Sequence, residues 1–295
     1  MRGAKPERAL EIELKRNPVL VDGATIVVAC SGGPDSVALA AALTVVARGK
    51  QLRLVLGHIN HGIRHSAWQD EAVVLRLAAA LNLRVRVVAL DPGGSDEASM
   101  RARRYEALGA IAHEVGARFV ATAHSAEDQT ETVLLALFRG TGLEGLAGMP
   151  IQRELVPGIE LIRPFLRVDR AELRAYCHGS GLPYALDPTN MDLGYRRNAV
   201  RAALHDLRPI FPGLDRAVAR AAEVARAEVN QDDRAALRRR VRVALRAEDG
   251  LSDIGFAHIE AVVRTLERSG SGRFPIKSGI ELVVEGGTIR VQSSL

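Results

Sequence analysis

Cysteine is scarce in this chain, and its scarcity excludes two kinds of metal site. The 295 residues include only two cysteines, Cys30 and Cys177, and no CxxC pair. Structural zinc sites and iron–sulfur clusters take most of their ligands from cysteine thiolates, so neither can be built from cysteine alone here. We expect both thiols to be free, in a reducing cytoplasm.

Long apolar runs are also missing from the sequence. No stretch approaches the roughly 20 apolar residues that a membrane-spanning helix requires. The N-terminal sequence, MRGAKPERALEIELKRN, has no apolar core of the signal-peptide kind. We therefore expect no membrane partner.

Lysine is rare even though the chain is basic. The net charge is +5 and the pI is about 9.6, yet lysine supplies only Lys5, Lys15, Lys50 and Lys277 of the 40 basic residues. Arginine suits paired hydrogen bonds to phosphate, and an excess of positive charge favours a polyanionic partner. Nucleic acid is therefore a candidate partner, although a biased genome composition explains the arginine content equally well.

Strand and helix patterns alternate over the first part of the chain. Short apolar runs predict buried strands at residues 25–30, 52–58, 83–89 and 118–123, and helical patterns separate and follow them at 35–47, 66–81, 98–115 and 126–138. This alternation predicts an α/β fold with a doubly wound parallel sheet and helices on both faces. Ligands of such folds bind beyond the carboxyl ends of the strands, where the loops at 31–36, 60–65 and 124–128 should meet.

The second part of the chain has a different character. The pattern from residue 198 to about 268 is helical and rich in arginine, and residues 272–292 form short alternating runs. Gly286-Gly287 splits those runs and is typical of a hairpin turn. We therefore expect a domain over residues 1–215 and a smaller helical, then β-containing, module over 216–295.

One loop has the composition of a phosphate-binding site. It follows the first predicted strand, precedes a predicted helix, and reads Ser31, Gly32, Gly33, Pro34, Asp35, Ser36. Glycine lets the backbone approach an anion closely, and the following helix directs unpaired N–H groups at the same place. Asp35 has no cationic neighbour within the loop, so we expect it to hold Mg²⁺ on a nucleotide.

The same loop resembles the signature of the PP-loop ATP pyrophosphatases, also called N-type ATP pyrophosphatases. It lacks the GK[ST] ending of a Walker A loop. The resemblance implies that the loop binds the pyrophosphate of ATP. It also implies that the enzyme attaches AMP to a carbonyl-type oxygen, from which a nucleophile then displaces it.

Three further stretches resemble one branch of that superfamily, the tRNA(Ile)-lysidine synthetases. They are HINHGIR at 58–64, AHSAEDQTET at 123–132, and DPTN at 187–190 followed by YRRN at 195–198 and by Arg201. Glu127 stands where the family usually has aspartate. The related 2-thiocytidine thiolases usually carry CxxC pairs, which this chain lacks.

The resemblance implies a specific reaction. Its substrates would be ATP with Mg²⁺, free L-lysine, and the wobble cytidine of a tRNA(Ile) with a CAU anticodon. An adenylated cytidine would be the intermediate, and lysidine, AMP and pyrophosphate the products. The module at 216–295 would bind tRNA. A homodimer is compatible with the sequence, which does not determine the oligomeric state.

The resemblance also implies roles for individual residues. The catalytic residues would be Asp35, His124 and Arg64. His58, Asn60 and His61 would bind ATP together with the phosphate-binding loop. Asp128 and Glu131 lie three positions apart on a predicted helix, hence on one face, and could hold the ammonium of lysine. The expected tRNA contacts are Asn190, Arg196, Arg197, Asn198 and Arg201.

Three alternatives stay open at this point. A PP-loop tRNA thiolase would share the nucleotide chemistry, but the missing CxxC pairs count against it. A non-catalytic nucleotide-binding regulator could use the same sheet, but it would not need the two carboxylates together with the 187–201 signature. A plain RNA-binding protein would not need the glycine-rich loop.

Overall fold

The structure is a computed structural model that describes residues 8, 23–60, 67–90, 97–185, 196–231, 233–246, 259, 262–264, 266, 271–277, 280–285 and 288–293. The chain divides into two compact units. One is formed by Met1–Glu131 with Met149–Ala219, and the other by Thr132–Gly148 with Arg220–Leu295. The functional assignment of residues 1–215 and 216–295 stays a prediction.

A six-stranded sheet is the frame of the first unit. Its strands are β1 (Thr25–Ala29), β2 (Arg53–Asn60), β3 (Arg84–Ala89), β4 (Phe119–Ala121), β5 (Gln152–Val156) and β6 (Ile159–Ile162), in the order β3-β2-β1-β4-β6-β5. All neighbours pair in parallel except β5, which forms an antiparallel edge on β6. The predicted α/β fold is confirmed, with a mixed rather than purely parallel sheet.

Helices link and follow these strands. They are α1 (Pro34–Lys50), α2 (Ala67–Leu81), α3 (Glu97–Glu114), α4 (Ala126–Phe138), the single turn α5 (Leu143–Leu146), and α6 (Arg170–Gly179). Three more follow: α7 (Arg196–Ile210), α8 (Leu214–Gln231) and α9 (Asp233–Arg246).

Helices cover both faces of the sheet. Successive residues of a strand point to opposite faces, so one strand can pack against helices on both sides. Ile26 and Val28 of β1 pack in a core with α1, α2 and α6. Val27, between them, packs in a second core with Leu108 and Ile111 of α3. The apolar run of β1 therefore has a partner on each face, as a buried parallel strand requires.

Two local features differ from the sequence prediction. The β5–β6 hairpin was not predicted, although Pro157-Gly158 at its turn, with Gly158 at φ +79°, is a recognisable turn signal. The predicted helical stretch from residue 198 is divided after Ile210 by Phe211–Gly213, where Gly213 has φ +86°. Proline followed by a left-handed glycine ends a helix.

The second unit has its own small core. The strands β7 (Gly272–Lys277), β8 (Ile280–Glu285) and β9 (Thr288–Ser293) form an antiparallel sheet in that order. Leu282 and Val284 of β8 pack with Val241 and Leu245 of α9. The prediction that helices are followed by a small β-sheet in this part of the chain is therefore confirmed.

The helices of the described residues lack membrane-spanning character. Within the residues that the structure describes, none is both long enough and apolar enough to cross a bilayer.

Packing of α6 against α1 should carry much of the first unit's stability. Leu173 of α6 is fully buried in the core that α1 shares, so Leu173→Ala should lower the free energy of unfolding by about 2–5 kcal/mol. Val45 of α1 is 51% exposed, and Val45→Ala should change it by less than about 0.5 kcal/mol. Urea denaturation followed by circular dichroism measures both, and equal losses would contradict this packing.

Candidate active site

The glycine-rich loop connects the carboxyl end of β1 to the start of α1. Gly32 has φ +86°, and a Cβ there would lie 3.0 Å from the main-chain oxygen of Asp70, so glycine is required on both grounds. The Ser36 hydroxyl donates to the Gly33 carbonyl at 2.9 Å, and the Ser31 and Ser36 hydroxyls lie 3.3 Å apart. These contacts hold the loop in a compact turn.

The start of α1 is free of a side-chain cap. Gly33 is the N-cap residue and has no side chain that could cap the helix, and Pro34 occupies the first helical position. The N–H groups of the first turn have no partners within the helix, and the helix dipole adds positive potential there. The predicted phosphate residues Ser31–Ser36 thus form a turn, beyond the carboxyl end of the central strand β1, whose geometry suits an anion, and their binding of phosphate stays a prediction.

Asp35 lies in the first turn of α1, and its two carboxylate oxygens have different surroundings. Oδ2 accepts a hydrogen bond from Nε of Arg170 at 3.3 Å. Oδ1 is buried and has no hydrogen-bond partner among the described residues. Burial raises the pKa of Asp35 to about 6, with Arg170 opposing the rise and the nearby Asp128 and Glu127 adding to it.

An unpartnered carboxylate oxygen beside a phosphate-binding turn suits Mg²⁺, which takes few protein oxygens and completes its shell with phosphate and water. In the described part of the chain, no three His, Cys, Asp or Glu side chains gather into a metal site. Among the described residues, Asp35 could hold such a cation if the nucleotide supplies further ligands, and its role as a Mg²⁺ ligand stays a prediction.

The carboxyl end of β2 brings His58 and Asn60 to the same edge. His58 is 3% exposed, and its Nδ1 lies 2.9 Å from the Cys30 carbonyl oxygen, which can only accept. Nδ1 therefore carries a proton, and the buried Nε2 has no partner among the described residues. Asn60 donates to Oε2 of Glu71 at 3.4 Å. The predicted site residues His61 and Arg64 lie outside the described residues.

His124 lies just after β4, and the Thr122 side chain holds its imidazole ring in place. Its Nδ1 lies 3.0 Å from the Thr122 hydroxyl. Burial lowers the pKa of His124 well below its ordinary value, and the positive charges of Arg163 and Arg101 act in the same direction, against Asp128. The imidazole is therefore uncharged at neutral pH.

Asp128 and Glu131, the predicted lysine-binding pair, are held by arginine. Oδ1 of Asp128 accepts from Nη2 of Arg170 at 2.5 Å and from Nη2 of Arg197 at 3.1 Å. Glu131 accepts from Nε of Arg197 at 2.7 Å and of Arg201 at 2.8 Å, with Nη1 of Arg170 at 3.4 Å. Two residues predicted to contact tRNA, Arg197 and Arg201, thus meet the two predicted to bind lysine.

The remaining oxygen of Asp128 serves the helix itself. Oδ2 accepts from the main-chain N–H of Ser125 at 2.9 Å and from its hydroxyl at 3.1 Å. This pairing fixes the first turn of α4 and leaves Oδ1 directed at the arginines. The Asp128 side chain therefore both stabilises the start of α4 and binds the arginines of the site.

The arginines decide the ionisation of this pair. Burial alone would raise the pKa of Asp128, but the guanidinium groups of Arg170 and Arg197 outweigh it and hold that pKa well below its usual range. Burial opposes ionisation of Glu131 too, and its hydrogen bonds with Arg201 and the charge of Arg170 lower its pKa. Both carboxylates are therefore ionised inside the protein.

The other predicted tRNA contacts lie close by in sequence. Arg196 is exposed at the start of α7, and Asn198 is partly buried one turn before Arg201. The Asn198 side-chain oxygen lies 3.5 Å from Nη1 of Arg201. Asn190 lies outside the described residues, and the assignment of these residues to tRNA stays a prediction.

The contacts of two residues of the site were not predicted from the sequence. Arg170 reaches Asp35, Asp128 and Glu131 at once, and it belongs to none of the motifs on which the sequence analysis depended. Glu127 accepts the main-chain N–H of Arg170 through both carboxylate oxygens, at 2.8 and 3.0 Å. The longer side chain that replaces the family's usual aspartate thus caps α6.

A second arginine-rich group lies on α3 and the neighbouring strands. The Tyr105 hydroxyl accepts from Nη2 of Arg101 at 2.9 Å, and the guanidinium of Arg153 lies 5.2 Å from its ring centre. Arg163, only 2% exposed, donates to the Pro150 carbonyl at 2.7 Å. Burial opposes ionisation of Tyr105, but the charges of Arg101 and Arg163 lower its pKa overall.

Comparison with known proteins agrees with this geometry. A family model described as a PP-loop domain matches residues 6–207. The chain is 42% identical over 259 residues to the tRNA(Ile)-lysidine synthase of Salinispora tropica, covering 83% of this chain and 75% of that protein. For Salinispora arenicola the values are 38% over 274 residues, 88% and 80%.

Other relatives are longer than this chain. It is 43% identical over 204 residues to the tRNA(Ile)-lysidine synthase of Ralstonia nicotianae, covering 67% of this chain but only 44% of that protein. Among solved structures, the U34-tRNA thiolase NcsA of Methanococcus maripaludis has a TM-score of 0.64 at 19% identity, covering 74% of this chain and 77% of that one. At that identity the likeness concerns the fold alone.

Removing one charge from the buried cluster should be costly. Glu131→Gln leaves the guanidinium groups around it uncompensated and should lower the free energy of unfolding by about 3–5 kcal/mol. The matched control is Glu114→Gln, because Glu114 is an exposed partner of Arg86 and should contribute less than about 1 kcal/mol. Chemical denaturation at neutral pH compares the two, and a loss at Glu131 no larger than that at Glu114 would refute a tightly coupled cluster.

Asp35→Asn should stabilise the fold, whereas Glu131→Gln should destabilise it. The folded-state pKa of about 6 lies above the ordinary value of 3.8, so the folded state favours the protonated carboxyl, and that advantage disappears as the pH rises through about 6. The amide should therefore raise the melting temperature by a few degrees at about pH 8 and by little at about pH 4. Differential scanning fluorimetry across this range measures it, and a variant that melts lower at about pH 8 would show that the charge is stabilising.

Proposed function

Since the chain belongs to the tRNA(Ile)-lysidine synthase family, we propose that it ligates lysine to C2 of the wobble cytidine of a CAU-anticodon tRNA(Ile) in an ATP-dependent reaction. Lysidine, AMP and pyrophosphate are the products. The observation that carries the proposal is the juxtaposition of a phosphate-binding turn with a buried carboxylate pair, linked by Arg170.

The nucleotide half of the reaction uses the glycine-rich turn. The cytidine C2 oxygen attacks the α-phosphate of ATP and pyrophosphate leaves, so negative charge must be stabilised on the phosphate oxygens. The N–H groups at the start of α1 and the hydroxyls of Ser31 and Ser36 can do so. Mg²⁺ held by Asp35 would supply further electrostatic stabilisation.

The amine half uses the carboxylate pair. The lysine ammonium pairs with Asp128 and Glu131 and gives a proton to a base, the role proposed for His124. The resulting amine attacks C2, from which AMP leaves with the former C2 oxygen. Because guanidinium groups already contact Oδ1 of Asp128 and both oxygens of Glu131, an incoming ammonium replaces part of one arginine's contacts. The uncharged His124 does not repel the ammonium and offers it a lone pair.

Recognition of the RNA is assigned to the arginine-rich part of the chain. Arg196 is exposed, and arginine binds phosphate through paired hydrogen bonds. With Arg197, Asn198, Arg201 and Asn190, it would hold the anticodon region over the site. A cytoplasmic location and a homodimer stay predictions.

A labelling assay tests the proposed reaction. The pure protein is incubated with ATP, Mg²⁺, radiolabelled lysine and an unmodified CAU-anticodon tRNA(Ile). We expect acid-precipitable label that survives mild alkaline deacylation, because a base modification is stable where an aminoacyl ester is not. The control is the same tRNA with uridine at the wobble position, which should stay unlabelled.

Two other outcomes would argue against the proposal. Pyrophosphate release that depends on the tRNA, without label in the RNA, would retain adenylation but exclude lysine as the nucleophile. Folded protein that neither labels the RNA nor releases pyrophosphate would favour a non-catalytic nucleotide-binding regulator.

A further inference from the structure

Arg170 contacts four carboxylates in the described part of the candidate site. Its main-chain N–H is held by both oxygens of Glu127. Its guanidinium places Nε at 3.3 Å from Asp35, Nη2 at 2.5 Å from Asp128 and Nη1 at 3.4 Å from Glu131. One residue thus spans from the phosphate-binding turn on α1 to the carboxylate pair on α4.

This arrangement uses all three nitrogens of the guanidinium for different partners. The group is planar, permanently charged, and presents its five N–H bonds in fixed directions. The side chain is 18% exposed, and its main chain is fixed by Glu127, so few other positions are open to it. Lysine carries the same charge as a single point and cannot reproduce three divergent contacts.

The contact with Asp35 also decides which oxygen of that residue is available. Arg170 occupies Oδ2, while Oδ1 has no partner among the described residues. The arginine therefore orients the carboxylate with one oxygen toward itself and the other left for a cation. The nucleotide turn and the amine-binding pair are aligned by the same group.

We propose that Arg170 is a positioning residue that sets the separation between the nucleotide-binding turn and the amine-binding carboxylate pair. The proposal rests on the proposed function, in which the adenylated base and the amine meet between these two elements. Arg170 acts on the reaction through Asp35, Asp128 and Glu131, and it need not touch either substrate.

A positioning role predicts a specific kinetic pattern for Arg170→Lys. Misplacing reacting groups by about 1 Å lowers turnover by about 100-fold, so kcat should fall by that order. Removing a tightly bound guanidinium from an acidic cluster does not weaken its attraction for other cations. KM for lysine and for ATP should therefore change by less than about threefold.

Arg208→Lys is the matched control. Arg208 also pairs with a buried carboxylate, donating to both oxygens of Asp215 at 2.8 and 3.1 Å, and its side chain is 26% exposed. It has no assigned part in the reaction, so its variant should retain kcat within about twofold. Melting temperatures of both variants show whether each is folded at the assay temperature.

Chemical rescue separates positioning from stability. Arg170→Ala leaves space for a small cation, and added ethylguanidinium should restore turnover at least about tenfold, whereas ethylammonium at the same concentration should not. A residue that only stabilises the fold would show no such selectivity. Equal rescue by both cations would mean that charge alone matters, which contradicts the proposal.

Several results would overturn the inference. They are a kcat for Arg170→Lys within about threefold of the wild type, a rise in KM that accounts for the whole effect, or an equal loss in Arg208→Lys. If the wild type releases pyrophosphate but does not label RNA with lysine, the proposed nucleophile fails, and the same comparisons are made on pyrophosphate release.

A crystal structure of Arg170→Ala provides a readout that needs no activity. The separation of the Asp35 and Glu131 carboxylates should differ from that in the wild type by more than about 1 Å. An unchanged separation would refute the positioning role even if the proposed reaction stands. A changed separation in a protein without activity would leave the inference intact and the proposed function rejected.

Discussion

Neutralisation of buried charge is the constraint on which this site depends. Asp128 is 9% exposed and Glu131 is fully buried, and an ionised carboxylate in that environment is stable only with cations and hydrogen-bond donors around it. Arg170, Arg197 and Arg201 supply them. The helices α4, α6 and α7 are therefore joined at the edge of the sheet by charge pairing as well as by apolar packing.

The same constraint links structure to the proposed chemistry. A site that attracts an ammonium and a magnesium ion must hold carboxylates together before either ligand arrives, and like charges at that distance repel one another. Internal arginines balance them in the ligand-free protein. Asp35 is balanced least well, since burial raises its pKa to about 6 and one oxygen has no partner among the described residues. That imbalance makes it the natural position for an added cation.

Local sequence patterns predicted the strands and the glycine-rich turn. They also placed Asp128 and Glu131 on one face of a helix. All of these features depend on residues that are close together in the chain. Arg170 could not be found in that way. Asp35 lies 135 positions from it, and no periodicity connects the two. Glu127 was noticed only as a departure from the family's aspartate, and its contact with the start of α6 is again long-range. The β5–β6 hairpin carried a Pro-Gly turn signal that the sequence analysis did not use.

The most direct test of this account is a crystal structure with Mn²⁺ in place of Mg²⁺, a non-hydrolysable ATP analogue and lysine. The account predicts anomalous density for the metal next to Oδ1 of Asp35. It also predicts the lysine ammonium within about 3 Å of an oxygen of Asp128 or Glu131, with Arg170 still between the two ligands. Metal bound away from Asp35, or an ammonium bound away from both carboxylates, would contradict the claim that one arginine-balanced cluster serves both halves of the reaction.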